Sequence, residues 1–534
     1  MKSTLLLLFS TLFFSILLPA QNRFQKAIGG VSDDKAYSLV QTRDKGFIMG
    51  GYSYSQGIGG SDCYLLKTDS NGVFLWGKTY GGPRDDEGYI VQQTADDGYI
   101  FCGYTKSFGA GAYDVYLIRT DPNGDTLWTK TYGGPLDDFG NAMQQTADGG
   151  FIIGGYTVSY SYNVDSGNAY ILKLDAGGNL QWSRTFSGPN EITDVYAIAQ
   201  TPDHGYAMTG YSNAFGEPNG DAFLAKTDSL GIVQYIRTYG FKGYDWGNAI
   251  IPTPDGGYMI GGTYSTDSTS ADLDVYLIKT NTLGDTLFTK TYGGVASDFC
   301  QSMVPTPGGG FALVGYTRSF GNGNYDALFM QTNATGDTLK TRTYGGTDDD
   351  EANSVVVCSD GTYAMAGFAN SFGAGAADVL VIKTDGSPDC NTHSFSAPRK
   401  HSTSVVGSHT ASVSASTPTI TSRTHTTILP VGQEINPCDN IGIAPLKEVQ
   451  TTVALFPNPS SGSCMLAFAN PKITDYLITV SDILGKQVLS FNFKGKSQYE
   501  NQLLNLADLT SGVYFIHLVS GDYRTSVKVV LEKK

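Results

Sequence analysis

Thr79-Tyr80-Gly81-Gly82 decides the fold, because it keeps coming back. It returns as Thr131-Tyr132-Gly133-Gly134, Thr291-Tyr292-Gly293-Gly294 and Thr343-Tyr344-Gly345-Gly346, with degenerate copies at Ala27 to Gly30, Thr185 to Gly188 and Thr238 to Phe241. The third position of each copy falls at 29, 81, 133, 187, 240, 293 and 345, in steps of 52 to 54 residues. A period this regular marks stacked supersecondary units, none of which can bury its apolar face alone.

One period holds four strand-like runs, in the first copy Ala36 to Thr42, Phe47 to Ser53, Cys63 to Thr68 and Val73 to Tyr80. Asp-Gly-Gly turns (Asp148-Gly149-Gly150) and Asp-x-Asn-Gly turns (Asp69 to Gly72) separate them and supply the positive-φ positions that tight hairpins need. Four antiparallel strands per period make a propeller blade. The expected architecture is all-β: a seven-bladed β-propeller over 23–389, a linker over 390–446 and a small C-terminal β-sandwich over 447–534. An aromatic stands five residues before the reference glycine (Trp76, Trp128, Trp182, Tyr235, Phe288), and Phe24 continues that series. The last copy has only three strands, so Phe24 to Ile28 is expected to supply its missing outer strand and close the ring.

These residues resemble the seven-bladed bacterial propeller repeats, read here in Asp114-Val115-Tyr116-Leu117-Ile118-Arg119-Thr120-Asp121, Gly133-Gly134, Asp138 and Gly155-Tyr156-Thr157. The resemblance implies a fold but no single function, since propellers host enzymes, lectins and scaffolds.

The formal charge is −15, yet residues 447–534 carry nine Lys/Arg against seven Asp/Glu, so the acidity belongs to the repeats. Such a surface repels phosphate backbones, which argues against a nucleic-acid partner and favours cations, neutral glycans or basic proteins. Lys2, the apolar run Leu5 to Leu18 and Pro19-Ala20 read as a signal peptide over 1–20. No later stretch is long and apolar enough to be a membrane helix, so the mature chain is expected to have no transmembrane segment. In an exported chain Cys390 and Cys438, which bracket the Ser/Thr-rich linker, are candidates for a disulfide; Cys63, Cys102, Cys300 and Cys358 lie in expected strands as small hydrophobes.

From Ala454 onward the chain resembles the C-terminal sorting domain read by the type IX secretion machinery. The matching residues are Leu455-Phe456-Pro457-Asn458-Pro459 with Gly462, Ile478 to Asp482 with Leu484-Gly485-Lys486, Ser511-Gly512-Val513-Tyr514-Phe515, and Lys528-Val529-Val530. The resemblance implies passage through the periplasm and outer membrane, removal of the tag, and an extracellular or surface-attached product.

The sharpest residue-level feature is a recurring acid ahead of each first strand: Asp34, Asp86, Asp138, Asp245, Asp298 and Asp350, with Thr193 in the fourth copy. Two readings stand. The acids could ring one mouth of the central channel and hold Ca²⁺ or steer a cationic ligand, or each could cap its own turn through backbone N–H groups. A second series, Asp62, Asp114, Asp221, Asp274, Asp326 and Asp378, with Asn168 in the remaining copy, precedes the third strand and reads as turn caps. Loops such as Ser107-Phe108-Gly109-Ala110-Gly111 suit either recognition or packing. No histidine lies beside a nucleophile motif, and Gly109-x-Gly111 lacks the rest of a dinucleotide fingerprint. The expected function is therefore a binding or structural module for a glycan or protein. The alternative is a polysaccharide hydrolase or lyase that uses Asp86 and Asp138.

Overall fold

A computed structural model describes residues 23–161, 166–187, 192–216, 219–240, 243–265 and 273–385, short strands between 392 and 435, and strands with their flanks between 453 and 531. The signal-peptide reading and the Cys390–Cys438 pair lie outside the described residues. The chain divides into two units, Met1–Asp439 and Asn440–Lys534.

The first unit is the seven-bladed propeller. Blade 1 consists of Asp34–Gln41, Phe47–Ser53, Asp62–Thr68 and Phe74–Tyr80, paired antiparallel in that order from the axis outward. Its second and third strands are buried along their whole length, as strands must be when neighbouring sheets cover both faces. The innermost strands touch one another in sequence, and the last, Asp350–Val357, meets the first, Asp34–Gln41. Across that closing seam Leu39 N donates to Ser354 Oγ at 3.1 Å and Asn353 Nδ2 donates to the Ala36 carbonyl at 3.0 Å. Phe24–Ile28 is the outer strand of blade 7, with Phe24 opposite Lys383 and Ile28 opposite Val379 on Asp378–Thr384, so the ring is clasped from its N-terminus as the spacing of Phe24 implies.

The tetrad tyrosine is a latch. Tyr80, Tyr132, Tyr239 and Tyr292 are buried, and each donates its hydroxyl to a turn carbonyl of the next blade, Gly124, Gly178, Gly284 and Gly336 respectively, at 2.5–2.6 Å. The Trp76 ring covers the same turn, and a Cβ on Gly124 (φ 79°) would come 2.9 Å from it. Only glycine meets both demands. Cys63, Cys102, Cys300 and Cys358 are buried free thiols inside the blade packing.

The stretch expected to be a linker is engaged with the ring. Strands Thr392–His393, Val405–His409, Ser412–Ser414, Thr419–Ser422, Thr427–Ile428 and Glu434–Ile435 pair antiparallel with the outer strands of blades 6, 4, 3, 2, 1 and 7. The outer strand of a blade leaves a row of unpaired N–H and C=O groups, which an extended Ser/Thr/Val-rich chain can satisfy. The belt follows the rim against the order of the blades. Among the described residues, the outer strand of blade 5, Thr286–Tyr292, carries no fifth strand.

The second unit has a three-stranded sheet (Val453–Phe456, Ser463–Ala469, Tyr499–Asn505) and a four-stranded sheet (Gln487–Phe493, Tyr476–Asp482, Gly512–Ser520, Tyr523–Leu531). One apolar cluster joins Leu466 and Leu504 of the first to Ile478, Val480, Ile516 and Leu518 of the second. Among the described residues no helix is long and apolar enough to cross a membrane.

Candidate functional site on the axial face

Each innermost strand slips by one residue against its neighbour, at Tyr37, Tyr89, Asn141, Tyr196, Asn248, Gln301 and Asn353. A bulge re-aims side chains. Three of the bulge amides tie their blade to the next: Asn141 Nδ2 donates to the Asp194 carboxylate at 2.8 Å, Asn248 Nδ2 to the Cys300 carbonyl at 2.7 Å, and Asn353 as above. The remaining bulge positions are mostly tyrosines.

Two residues before each bulge stands Lys35, Glu87, Phe139, Asp194, Trp246, Phe299 or Glu351, half-buried in every blade. Opposite these, on the second strand, lie Tyr52, Tyr104, Tyr156, Tyr211, Thr263, Tyr316 and Phe368. The two rows merge into an aromatic arc where the innermost strands begin. The Lys35 ammonium lies 4.0 Å from the Phe368 ring centre. Tyr37 and Tyr89 centroids are 5.0 Å apart, Tyr89 and Tyr104 5.7 Å, Tyr104 and Phe139 5.0 Å, and Phe139 and Tyr156 6.2 Å. Trp246 stacks on Tyr244 at 6.2 Å, and Phe299 lies 4.5 Å from Tyr316.

Three acids stand among these rings. Glu87 accepts from Tyr89 Oη and Ser61 Oγ, both at 3.3 Å, and burial raises its pKa. Burial likewise pushes Asp194 and Glu351 up to about 7, against the Asn141 hydrogen bond in the first case and the nearby Lys35 charge in the second. A face of π-surfaces with weakly acidic hydrogen-bonding groups between them suits a flat polar ligand with apolar faces. Sequence reading missed it. Its signal was the residue after each recurring acid, which varies from copy to copy and so does not register as part of the repeat.

The recurring acids themselves lie elsewhere. Asp34, Asp86, Asp138, Asp245, Asp298 and Asp350 are at most 1 % exposed, so they line no open channel mouth. Asp86 accepts from Gly82 N and Ser107 Oγ, each at 2.7 Å, and from Thr105 Oγ1; Asp138 accepts from Gly134 N at 2.7 Å, Ser159 Oγ at 2.6 Å and Thr157 Oγ1. The turn-capping reading is the one this geometry supports. Asp86 and Asp138, the acids of the hydrolase alternative, are both fully buried in these turns. The Ser-Phe-Gly loops serve packing, with Phe108 5.8 Å from Tyr116 and against Gly82.

The structure brings the two acid series together across the blade seams. A Cβ on Gly81 would fall within 2.9 Å of both Asp62 and Asp86, and the same holds for Gly133 with Asp114 and Asp138, Gly240 with Asp221 and Asp245, Gly293 with Asp274 and Asp298, Gly345 with Asp326 and Asp350, and Gly29 with Asp378 and Asp34.

Residues 454–532 match the family described as the secretion system C-terminal sorting domain. The chain therefore carries a type IX sorting tag. It is secreted across the outer membrane to the surface or the outside, and the type IX machinery is its partner in export. Of the motif residues, Gly512, Val513 and Tyr514 begin the strand Gly512–Ser520, and Tyr514 is buried with its hydroxyl 3.0 Å from the Thr510 carbonyl. Lys486 N closes a turn onto Asp482 Oδ1 at 2.9 Å. Lys528 lies in the strand Tyr523–Leu531. Pro457, Asn458, Pro459, Gly462 and Gly485 lie outside the described residues.

No curated protein matches the chain. Among solved structures it is similar to a puromycin hydrolase (11% identity, TM-score 0.34, 65% of this chain and 58% of that one). It is also similar to a glycoside hydrolase (10% identity, TM-score 0.29, 95% and 96%) and to the tail fiber of Staphylococcus aureus phage P68 (8% identity, TM-score 0.26, 83% and 93%). The chain thus spans little more than half of the puromycin hydrolase.

Proposed function

We propose that the propeller is a surface-exposed or released binding module whose axial face takes a glycan. An N-terminal leader over 1–20 delivers it to the periplasm, and the sorting tag carries it onward. The observation that supports the glycan reading is the run of rings from Tyr37 through Tyr89 and Tyr104 to Phe139, with Lys35, two residues before Tyr37, over the Phe368 ring. Pyranose rings stack their C–H faces on such aromatic surfaces, while Glu87, Asp194 and Glu351 offer hydrogen bonds to hydroxyls. An acidic, partly protonated face disfavours anionic polymers and accepts neutral ones. No cofactor is required by this reading.

A neutral-glycan array, read with wild type and with Tyr104→Ala and Phe139→Ala, tests it. Retention by wild type and at least tenfold loss in each variant, with unchanged melting, is the expected result. Equal retention, or retention only of basic proteins, would overturn the glycan assignment. Release of free sugar from the retained polysaccharide would convert the module into an enzyme.

A further inference from the structure

The seven blade seams carry an internal experiment. Six of them place a glycine between two aspartates, one from the third strand of a blade and one from the innermost strand of the next. The seventh changes all three positions together: Ser187 replaces the glycine, Asn168 the first acid and Thr193 the second. There the Ser187 and Thr193 hydroxyls are hydrogen-bonded at 3.1 Å, and Thr193 reaches Ser212 at 2.9 Å. A side chain enters this place only where both carboxylates have gone.

The hydrogen bonds within an acidic seam are unequal. Asp138 receives three donors, from Gly134, Ser159 and Thr157, the pattern of a carboxylate. Asp114 receives Ala110 N and Gly111 N on Oδ2, at 2.9 and 3.0 Å. Its Oδ1 is buried with no hydrogen-bond partner and converges with Asp138 on the same point beside Gly133. Asp378 repeats this at the closing seam: Oδ2 accepts Ala374 N at 2.6 Å, and Oδ1 has no hydrogen-bond partner and faces Asp34. Two buried carboxylates that converge on one point do not both stay ionised.

We propose that each of the six acidic seams binds one proton, carried by the third-strand acid of the Asp114 type and facing the ionised innermost-strand acid of the Asp138 type. The seventh seam fits the same rule, because the amide of Asn168 has the shape of a protonated aspartate. The other titratable groups acting on these pairs include Cys63 and Tyr116 at Asp62/Asp86, Tyr160 at Asp114/Asp138, Tyr64 at Asp378/Asp34, Tyr211 and Tyr276 at Asp221/Asp245, and Tyr264 beside Asp245 and Asp274. Burial raises the pKa of each, so these thiols and phenols are neutral and none supplies a positive charge. A calcium ion takes six to eight oxygens, and among the described residues no three acidic, histidine or cysteine side chains gather to hold a metal. Burial pushes the third-strand acids Asp62 and Asp378 up to about 7 and about 6, in accord with a proton held there, and the innermost-strand acids Asp138 and Asp350 also rise, from burial and from the neighbouring acid, as expected of two carboxyls that share one proton.

The test counts protons. Calorimetric unfolding of the full secreted chain at about pH 5.5, in buffers of different ionisation heat, should show proton release, because unfolded aspartates titrate near 4. The variant with Asp62, Asp114, Asp221, Asp274, Asp326 and Asp378 all changed to Asn should release about six fewer, one per seam. Glu87, Asp194 and Glu351 are present in both and cancel. Equal release overturns the proposal. Should the sixfold variant not fold, the infrared carbonyl band of protonated carboxyls in the folded wild type at about pH 5.5 decides, with Asp114→Asn expected to remove about one sixth of the seam share. A missing band overturns the proposal, and so does Ca²⁺ raising wild-type melting above neutral pH, since the seams would then hold a cation.

Discussion

A single methyl group is the finest probe of the seams. Changing Gly133 to Ala would drive a Cβ into Asp114 and Asp138, an overpacking that typically costs about 1–3 kcal/mol. Placing Ser, Asn and Thr together at Gly133, Asp114 and Asp138 should recover most of that loss, as the seventh seam already shows a compatible set. A denaturant double-mutant comparison reads the coupling, and strict additivity of the three changes would contradict it. The latch gives a second case. Tyr132→Phe leaves the Gly178 carbonyl without its 2.5 Å partner, and should lower stability by about 1–2 kcal/mol in urea unfolding. At Phe186, the blade 3 equivalent, no hydroxyl exists to lose.

Among the elements, the N-terminal clasp matters most, because without it Asp378–Thr384 would be an open edge in the middle of the ring closure. Ile28 is fully buried, so Ile28→Ala should cost about 2–5 kcal/mol. Deleting residues 23–30 should add concentration-dependent aggregation, which light scattering would reveal; an unchanged melt would refute the clasp. Phe24 was legible in the sequence because it keeps the spacing of Trp76 and Trp128. The belt was not read in advance, although Val406, Val413 and Ile420 recur every seven residues and oppose Tyr239, Phe186 and Tyr132. That period is one extended step per blade, and it carries meaning only once the rim of the ring is known.

Over the whole molecule, two families of carboxylates titrate in opposite senses. In five blades a lysine or arginine stem buried in the third strand reaches a turn aspartate: Lys67–Asp44 at 2.9 Å, Arg119–Asp96 at 2.5 Å, Lys173–Asp148 at 2.8 Å, Lys226–Asp203 at 2.8 Å and Lys383–Asp360 at 2.6 Å. Blade 5 adds Lys279–Asp255, whose hydrogen bond from Lys279 holds Asp255 at about 2. At Asp148 burial alone would raise the pKa, but the bonds from Lys173 and Thr146 outweigh it and hold the group at about 2. A pKa depressed from 3.8 contributes stability above 3.8 that is lost as pH falls toward 2. Seam acids such as Asp62, raised to about 7, and Asp138, raised to about 6, contribute below 3.8 and lose it as pH rises through 6–7. Melting temperature should therefore peak in mildly acid solution between these limits and decline on both sides; a profile flat from pH 4 to 8 would contradict the seam reading. Export is separable from this ring. Deleting 454–532 should leave folded propeller in the periplasm, detected by fractionation with a protease-protection assay, and surface delivery without the tag would contradict its role.

By itself the sequence determined the number of blades, the all-β class, the closing strand and the sorting tag, because each rests on spacing or on contiguous motifs. Local period dictates local strand, and repetition of the period dictates the ring. Only the tertiary structure decided which acids meet and which rings gather where the innermost strands begin. Asp62 and Asp86 look like two unrelated turn caps in the chain, and they become one buried pair when neighbouring blades close on Gly81. The aromatic arc likewise draws one or two side chains from each of several blades, aimed by a one-residue bulge at Tyr37, Tyr89 and their equivalents. Strand alternation already puts Lys35 with Tyr37 and Glu87 with Tyr89 on one face, but which rings of neighbouring blades meet them is set by how the blades pack around the axis.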